Sequence, residues 1–520
     1  MRNPLALFVV AVLLALTNLS HLAAQDPEKS EKSEKEAKPE AKPAPEPKEE
    51  SSVTEHTIKI GGQAIAYKAT ASTTLIKDDK GEPTASIFTI AYTRSDVKDM
   101  SQRPISFVYN GGPGSSSIWL HMGAFGPRRV VTTDAGPTPP PPFKLVDNAD
   151  CLLDKTDLVF VDPVGTGFSR AVGKAKDKDF WGIDQDVKSL AQLIATYISR
   201  NGRWNSPKFL IGESYGTFRS AALGNYLQQH NGMYFNGIDL ISSVLDLSTL
   251  SFPLGNDMPY VFYVPSYAAA ASYQKMLKEQ PADLNAFLVE ARQFATTEYA
   301  GALIKGANLS VTEKADIAKK LSRFTGLSED YLIKADLRVK LSQFRAELQR
   351  ARGLATGRYD ARFSGPEPDL LAEYASDDPQ STAVQGAFVA AFNSYVREEL
   401  KFGKDLTYNT SADISEWDWK RTTPGRRGGF PGAPNVEQDL VDALVTNTHL
   451  HVEVENGIYD LATPFFATEY TMTHLGLPEN LQKNISLKYY DAGHMMYLHE
   501  ADLSKLKANV AAFLDNATKQ

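Results

Sequence analysis

The apolar and polar positions change rhythm along the chain, and each rhythm predicts an element. HTIKIGGQAIAYKATAST alternates with a period of two on both sides of a Gly-Gly pair, and ASIFTIAYTR (Ala85 to Arg94) continues the alternation. A hairpin followed by a third strand is predicted, the fold beginning near Thr54. The next runs are short, apolar throughout, and end in glycine turns: ISFVYNGGPG (Ile105 to Gly114), DLVFVDPVGTGFS (Asp157 to Ser169) and KFLIGESYG (Lys208 to Gly216). Strands that are apolar on both faces are covered on both faces. Between the last two, IDQDVKSLAQLIATYISR (Ile183 to Arg200) carries apolar residues at helical spacing. A second helix is predicted from Ser214 to about Gln229, and GIDLISSVLDL (Gly237 to Leu247) adds a strand. Strand, glycine turn and helix in succession predict an α/β fold with a mostly parallel sheet flanked by helices.

After Ser248 the text turns helical, from about Pro259 to Leu400, with LRVKLSQFRAELQRAR (Leu337 to Arg352) among the segments. TTPGRRGGFPGAP (Thr422 to Pro434) closes this stretch. Strand patterns return in THLHVEVENG (Thr448 to Gly457) and ISLKYYDAG (Ile485 to Gly493), and LSKLKANVAAFLDNA reads as a last helix. The organisation expected is a core over 53–250 and 435–520, interrupted by a mainly helical cap insertion over 251–434.

Two N-terminal segments stand outside this pattern. Arg2 followed by the apolar run Leu5 to Leu16 and by Ala23-Ala24 reads as a signal peptide over 1–24. The run is shorter than the roughly 20 residues a membrane-crossing helix needs. Export to a periplasm or the exterior is expected, with no stable membrane insertion after cleavage. Residues 25–52 are dominated by Glu, Lys, Pro and Ala and read as a disordered linker.

Composition narrows the function. Lys and Arg number 55 against 63 Asp and Glu, a net charge of −8, which gives no global reason to bind nucleic acid. A single cysteine, Cys151, leaves no intramolecular disulfide and no cysteine-based zinc site. No metal or organic cofactor is implied.

Gly212-Glu213-Ser214-Tyr215-Gly216 fits G-x-S-x-G between a strand and a helix, the setting in which that motif carries a serine nucleophile. A serine nucleophile needs a base and a carboxylate that orients it, in the order Ser, acid, His. Of the histidines that follow, His494 in KYYDAGHMMY stands directly after a strand and a tight turn. His449 and His451, at i and i+2 on a strand, read as packing residues rather than metal ligands, and His230, His474 and His499 as surface residues. Asp460 in VENGIYDLATP is the preferred acid, one strand–helix unit before His494, with Asp491 as its rival. NGGPGSSS (Asn110 to Ser117) fixes an unusual backbone path whose N–H groups suit half of an oxyanion hole.

NGGPGSSS, DPVGTGFS, GESYG, a late Asp and AGHMMY together resemble, in order, the motifs of the serine carboxypeptidase family, across roughly Thr54 to Gln520. The resemblance implies the α/β-hydrolase fold with a helical cap. It implies Ser214 as nucleophile, His494 as base and Asp460 as its orienter. The N–H groups of Gly112 and Tyr215 would form the oxyanion hole. Asn110 and Glu213 would bind the free C-terminal carboxylate of a peptide substrate. Family members often carry Cys where this chain has Ser115, and secreted eukaryotic members carry disulfides. Neither exists here, and the absence of disulfides together with a signal peptide points to a bacterial export protein. The reaction expected is serine-type carboxypeptidase action through an acyl-enzyme, favoured at acidic pH. A serine esterase or acyltransferase on the same triad, and a non-catalytic binding protein on the same fold, are the alternatives.

Overall fold

The spine of the protein is a twisted sheet crossed by helices on both faces. The computed structural model describes residues 46–422 and 432–519. The expected signal peptide and most of the expected linker lie outside the described residues. The sheet has ten strands among them. Nine lie on one path: β1 (Ser51–Ile60), β2 (Gln63–Lys77), β3 (Pro83–Arg94), β4 (Ile105–Tyr109), β5 (Asp157–Val161), β6 (Lys208–Glu213), β7 (Gly237–Ile241), β8 (His451–Gly457) and β9 (Ile485–Tyr490). Their order in space is β1-β2-β3-β5-β4-β6-β7-β8-β9. The first three pair antiparallel, β3 pairs antiparallel with β5, and from β5 to β9 every pairing is parallel.

The β1–β2 turn is the Gly-Gly pair, with φ of +54° at Gly61 and +85° at Gly62, a conformation that matches the twist of a two-residue hairpin. The chain is ordered before β1: Glu50 exchanges main-chain and side-chain hydrogen bonds with Thr73, and Glu49 pairs with Arg200 at 2.9 Å. In the centre, β4, β5, β6 and β7 are buried along their whole length. That is why they read as mainly apolar runs, with Ser106, Asp157, Lys208, Glu213 and Asp239 as buried polar exceptions. Helix α1 (Ile183–Arg200) lays Ile183, Val187, Leu190, Ile194 and Ile198 on the sheet. Asp184 and Asp186 in its first turn and Arg200 in its last match the helix dipole. Helix α2 (Tyr215–Asn231) starts directly after Ser214 and ends on Gly232 in the left-handed region.

Between β7 and β8 come α3 (Met258–Tyr273), α4 (Leu284–Phe294), α5 (Val311–Thr325), α6 (Pro379–Ser394) and α7 (Glu437–Thr446), with a small hairpin of Leu354–Thr356 and Ser364–Pro366. Helix α5 opens with Ser310 and Glu313 capping each other's N–H groups and closes on Gly326. Much of this insertion has its own apolar cluster, which reaches Ile458, Tyr459, Leu461 and Phe465 of the core. Helix α8 (Glu500–Ala517) ends the chain.

Three elements differ from their predicted extents. Strand β7 stops at Ile241 because Ser242 takes a φ of +51° and sends its hydroxyl to the carbonyl of His494 at 2.7 Å. Strand β8 begins at His451, since Leu450 closes a turn on Asn447, so His449 is not on the strand and is exposed. The helix expected over Leu337 to Arg352 is regular only over Leu341–Glu347. Asp336 and Leu337 have positive φ, Leu337 is buried, and its carbonyl accepts from Tyr299 Oη at 2.6 Å. Core packing there overrides helical periodicity. The layered parallel sheet with its late helical insertion is the α/β-hydrolase architecture.

Candidate active site

Strand β6 ends at Glu213, and the chain turns so sharply into α2 that Ser214 has φ 60° and ψ −129°. A non-glycine residue held there is under strain, which persists only where its surroundings over-determine it. The flanking glycines permit the turn. A Cβ on Gly212 would lie 2.3 Å from the Gly216 carbonyl oxygen. One on Gly111 would lie 2.3 Å from the Tyr215 nitrogen, so the loop after β4 can approach α2 only as glycine. The Ser214 N–H donates to the carbonyl of Ile241 at 2.9 Å. The serine thus sits at the carboxyl end of the parallel strands, where ligands bind in open α/β sheets.

Asp460 and His494 follow β8 and β9, so both rise from the same end of the sheet. His494 Nδ1 lies 2.7 Å from Asp460 Oδ2. Both side chains are buried. The Asp460 carboxylate also accepts from the N–H groups of Ala462 and Thr463 at 2.7 and 3.0 Å. The Thr463 hydroxyl donates to Oδ2 at 2.7 Å and lies 3.2 Å from His494 Nδ1. Burial alone pulls the His494 pKa down, but the Asp460 carboxylate outweighs it, with Glu213 adding, and the imidazole is held above its ordinary value.

Glu213 is buried beneath the serine. Its Oε1 accepts from Asn110 Nδ2 at 3.0 Å and its Oε2 from Tyr497 Oη at 2.7 Å. Burial pushes its pKa up to about 7, against the lowering effects of His494, Tyr497 and Asn110. Asn110 is fixed in turn: its Oδ1 accepts from the N–H of Leu120 at 3.0 Å, and its carbonyl accepts from Arg219 at 2.8 Å. Arg219, fully buried, pairs with Asp186 of α1 at 2.7 Å and stacks on Tyr109 and Tyr215. One guanidinium therefore registers α1, α2 and the loop after β4.

The two glycine loops serve position. Asp162, at the end of β5, accepts from the N–H and hydroxyl of Ser117, both at 2.8 Å, which ties DPVGTGFS to NGGPGSSS. Gly167 must lack a side chain, since a Cβ would overlap the Asp162 carboxylate. Gly112 has φ +103°. Among the described residues neither the Gly112 nor the Tyr215 N–H donates to a protein acceptor.

These groups surround one cleft of about 290 Å³. Asn110, Gly112, Glu213, Ser214 and His494 line it, with Trp119 and Met495 beside them. The insertion supplies the opposite wall through Arg358, Tyr359, Gln380 and Val384. The insertion also holds the histidine loop. The N–H of His494 donates to the carbonyl of Tyr359 at 2.6 Å, and that of Gly493 to Asp360 Oδ2 at 3.0 Å. A Cβ on Gly493 would meet the Tyr359 carbonyl and Asp360 at 2.4 Å, so only glycine fits between the two segments. Asp491 is exposed and does not line the cleft. His230, His449, His474 and His499 lie elsewhere as well. Among the described residues no cluster of three or more His, Cys, Asp or Glu could hold a metal ion.

Sequence reasoning did not single out Thr463, Tyr497, Arg358 or Gln380. Tyr497 and Thr463 stand three residues beyond His494 and Asp460, inside text already quoted, and that spacing was the available signal. Arg358 and Gln380 had none.

With this geometry in hand, comparison with known proteins adds three findings. A family profile described as serine carboxypeptidase matches residues 80–305. The pheromone-processing carboxypeptidase KEX1 of Saccharomyces cerevisiae is 28% identical over 161 residues, 30% of this chain and 21% of that protein. The chain thus spans about a fifth of the length of the curated relatives it matches. The crystal structure of a prohormone-processing carboxypeptidase from Saccharomyces cerevisiae superposes with a TM-score of 0.54 at 17% identity, covering 86% of this chain and 91% of the other. A likeness at that identity shows a shared fold.

Proposed function

We propose, from the serine carboxypeptidase profile that matches residues 80–305 and from the geometry of the cleft, that this chain removes residues from the C-termini of peptides through an acyl-enzyme. Ser214 Oγ attacks the carbonyl of the last peptide bond. His494 takes the hydroxyl proton and passes it to the leaving nitrogen, which breaks the bond and leaves the acyl group on Ser214. Asp460 holds the imidazole by Nδ1 and stabilises its charged form, with Thr463 bridging the pair. The Gly112 and Tyr215 N–H groups receive the oxyanion. Water, deprotonated by His494, then releases the acyl group.

The observation that carries this reading is the Asn110–Glu213–Tyr497 chain under the nucleophile. An enzyme that cleaves only terminal bonds must recognise a free carboxylate close to its serine. A glutamate whose proton stays on up to about pH 7 can donate to that carboxylate, and Asn110 adds a second polar group. An esterase has no use for such a pair. Acidic conditions favour the clamp, and peptides with a free C-terminus are the substrates. Export, read from residues 1–24, is part of the same proposal. Among the described residues no helix is long and apolar enough to cross a membrane.

The test is a blocked dipeptide against its C-terminal amide at about pH 5. Much faster cleavage of the acid is expected. Equal turnover of both, with efficient hydrolysis of simple esters, overturns the reading in favour of an esterase.

A further inference from the structure

The wall contributed by the insertion carries a cation that neither the triad nor the carboxylate clamp uses. The main chain of Arg358 is pinned on both sides. Its N–H donates to Asp378 Oδ2 at 2.5 Å, and its carbonyl accepts from Leu461, the neighbour of Asp460, at 3.1 Å. Its side chain is half-buried, lines the cleft and rests over the Tyr359 ring, 5.0 Å from its centre. Among the described residues its guanidinium has no hydrogen bond and no ion pair. The other arginines of this segment behave differently. Arg345 and Arg352 donate to main-chain carbonyls, Arg350 pairs with Glu347, and Arg362 pairs with Asp360. Asp378, which accepts the Arg358 main-chain N–H, is already occupied by the N–H group of Ser381 and by Arg345, and Asp360 by Arg362.

Gln380 is a second, independent sign. It lines the same wall, is 1% exposed, and its Oε1 has no partner among the described residues, while its Nε2 meets only the thioether of Met495. The two ends of an amide exchange without moving the side chain, so Gln380 can present a donor as readily as an acceptor. An unpaired guanidinium and a buried amide on one cleft wall suit a carboxylate. The terminal carboxylate of the substrate has its own partners in Asn110 and Glu213. The remaining source is a side chain next to the cleaved bond.

We propose that Arg358 is a specificity-determining residue that selects peptides carrying Asp or Glu at one of the two residues flanking the cleaved bond. The proposal rests on the carboxypeptidase reading of the cleft. Pairing a half-buried guanidinium with a carboxylate favours the acidic side chain over its amide by about 10- to 100-fold in kcat/KM, and the preference shrinks with salt.

The test compares blocked Ala-Asp with Ala-Asn, and blocked Asp-Ala with Asn-Ala, at about pH 6. The parent is expected to prefer Asp at one of the two positions, which tells whether Arg358 reads the acyl or the leaving residue. Arg358→Gln should bring that ratio near one, Arg358→Lys should keep part of it, and Arg358→Glu should turn it towards Lys-containing peptides. A melting curve checks that each variant folds. Affinities of the same four peptides for Ser214→Ala give a parallel reading that needs no turnover. If the parent cleaves the peptides but ranks Asp at or below Asn in both positions, this inference is overturned and the carboxypeptidase reading stands. If no peptide is cleaved, that reading fails, and the Asp-to-Asn affinity ratio still decides the role of Arg358.

Discussion

The main-chain N–H of His494 is bonded to the carbonyl of Tyr359 at 2.6 Å, so the loop bearing the candidate base is seated on the insertion as well as on the core. Asp360 completes the seat through Gly493 and is itself held by Arg362 at 2.7 Å, both side chains buried.

Removing that carboxylate should therefore hurt both fold and turnover. Asp360→Ala leaves Arg362 with the exposed Asp134 as its one ion-pair partner among the described residues. A loss of about 3 kcal/mol is expected from breaking a buried pair. Asp360→Asn keeps an acceptor for Gly493 and should lose less. Urea unfolding read beside peptide turnover checks the order; an unaffected Ala variant would show that the histidine loop does not depend on this contact.

Ser214→Ala should lower peptide turnover by about 10⁴-fold or more while the melting temperature stays near that of the parent. Substantial residual activity in a folded variant would remove Ser214 from the nucleophile role.

Asp460→Asn should slow turnover by about 10³- to 10⁴-fold, since the amide no longer favours the right imidazole tautomer. Asp491→Asn should change it little, its side chain being exposed. Single-turnover kinetics on both variants separates the two acids; the reverse ranking would transfer the role to Asp491.

The α/β class was readable because buried parallel strands leave short, mainly apolar runs and because glycine turns follow β4, β5 and β6 at their carboxyl ends. The neighbourhood of Ser214 was readable for the same reason: the turn tolerates only glycine at Gly212 and leaves little room for a Cβ at Gly216, and that demand is written within five residues of sequence. Arg358 and Gln380 reach the cleft by another route. They lie on a hairpin connection and a first helical turn whose sequence spacing carries no message about the cleft. Their places follow from how the insertion packs on Tyr459 and Leu461, a tertiary contact. The shortened helix at Leu341–Glu347 failed for a related reason, since Leu337 satisfies the core rather than the helical period.

Glu213 and His494 set opposite pH trends. Glu213 has a raised pKa of about 7, so its proton, and with it the grip on a substrate carboxylate, is present below that value and lost above it. KM for a peptide acid should be flat at acidic pH and rise above about pH 7, tending to about tenfold per unit. Glu213→Gln, which cannot ionise, should flatten the rise. His494 must be neutral to act as base, so kcat for an amide or ester falls as pH drops through a value held above the ordinary one. A pH-independent KM for the acid in the parent would show that Glu213 does not meet the substrate carboxylate.

A second pH effect concerns stability. Asp239 and Glu453 face each other across β7 and β8, with Glu455 two residues on. Burial raises all three, most strongly Asp239 and Glu455; Glu453 adds to the rise at Asp239, and Asp239 adds to that at Glu455, while Lys488, Ser486 and Glu455 oppose the rise at Glu453. Lys488, 3.6 Å from Glu453, is the nearby cation, while Ser486, Tyr490 and Asn509 supply the polar contacts. The folded state binds protons that the unfolded chain releases near pH 4, so this stability is full below that pH and lost as pH rises through the folded values. The melting temperature should fall from mildly acidic to alkaline pH, and Asp239→Asn should lessen the slope. A melting temperature that climbs with pH over that range, with no change in Asp239→Asn, would contradict it.

The seat of His494 has a further consequence for how this chain can diversify. Alignment of the imidazole is entrusted to the carbonyl of Tyr359, an atom every amino acid possesses. The neighbouring Arg358 offers the cleft a side chain, which a single codon change can replace. Adjacent positions thus divide the work, the Tyr359 main chain seating the imidazole loop and the Arg358 side chain facing the cleft over the Tyr359 ring. On the carboxypeptidase reading, a change at position 358 alters what the cleft meets while leaving the main-chain seat of His494 in place, whereas wholesale exchange of the insertion removes both at once.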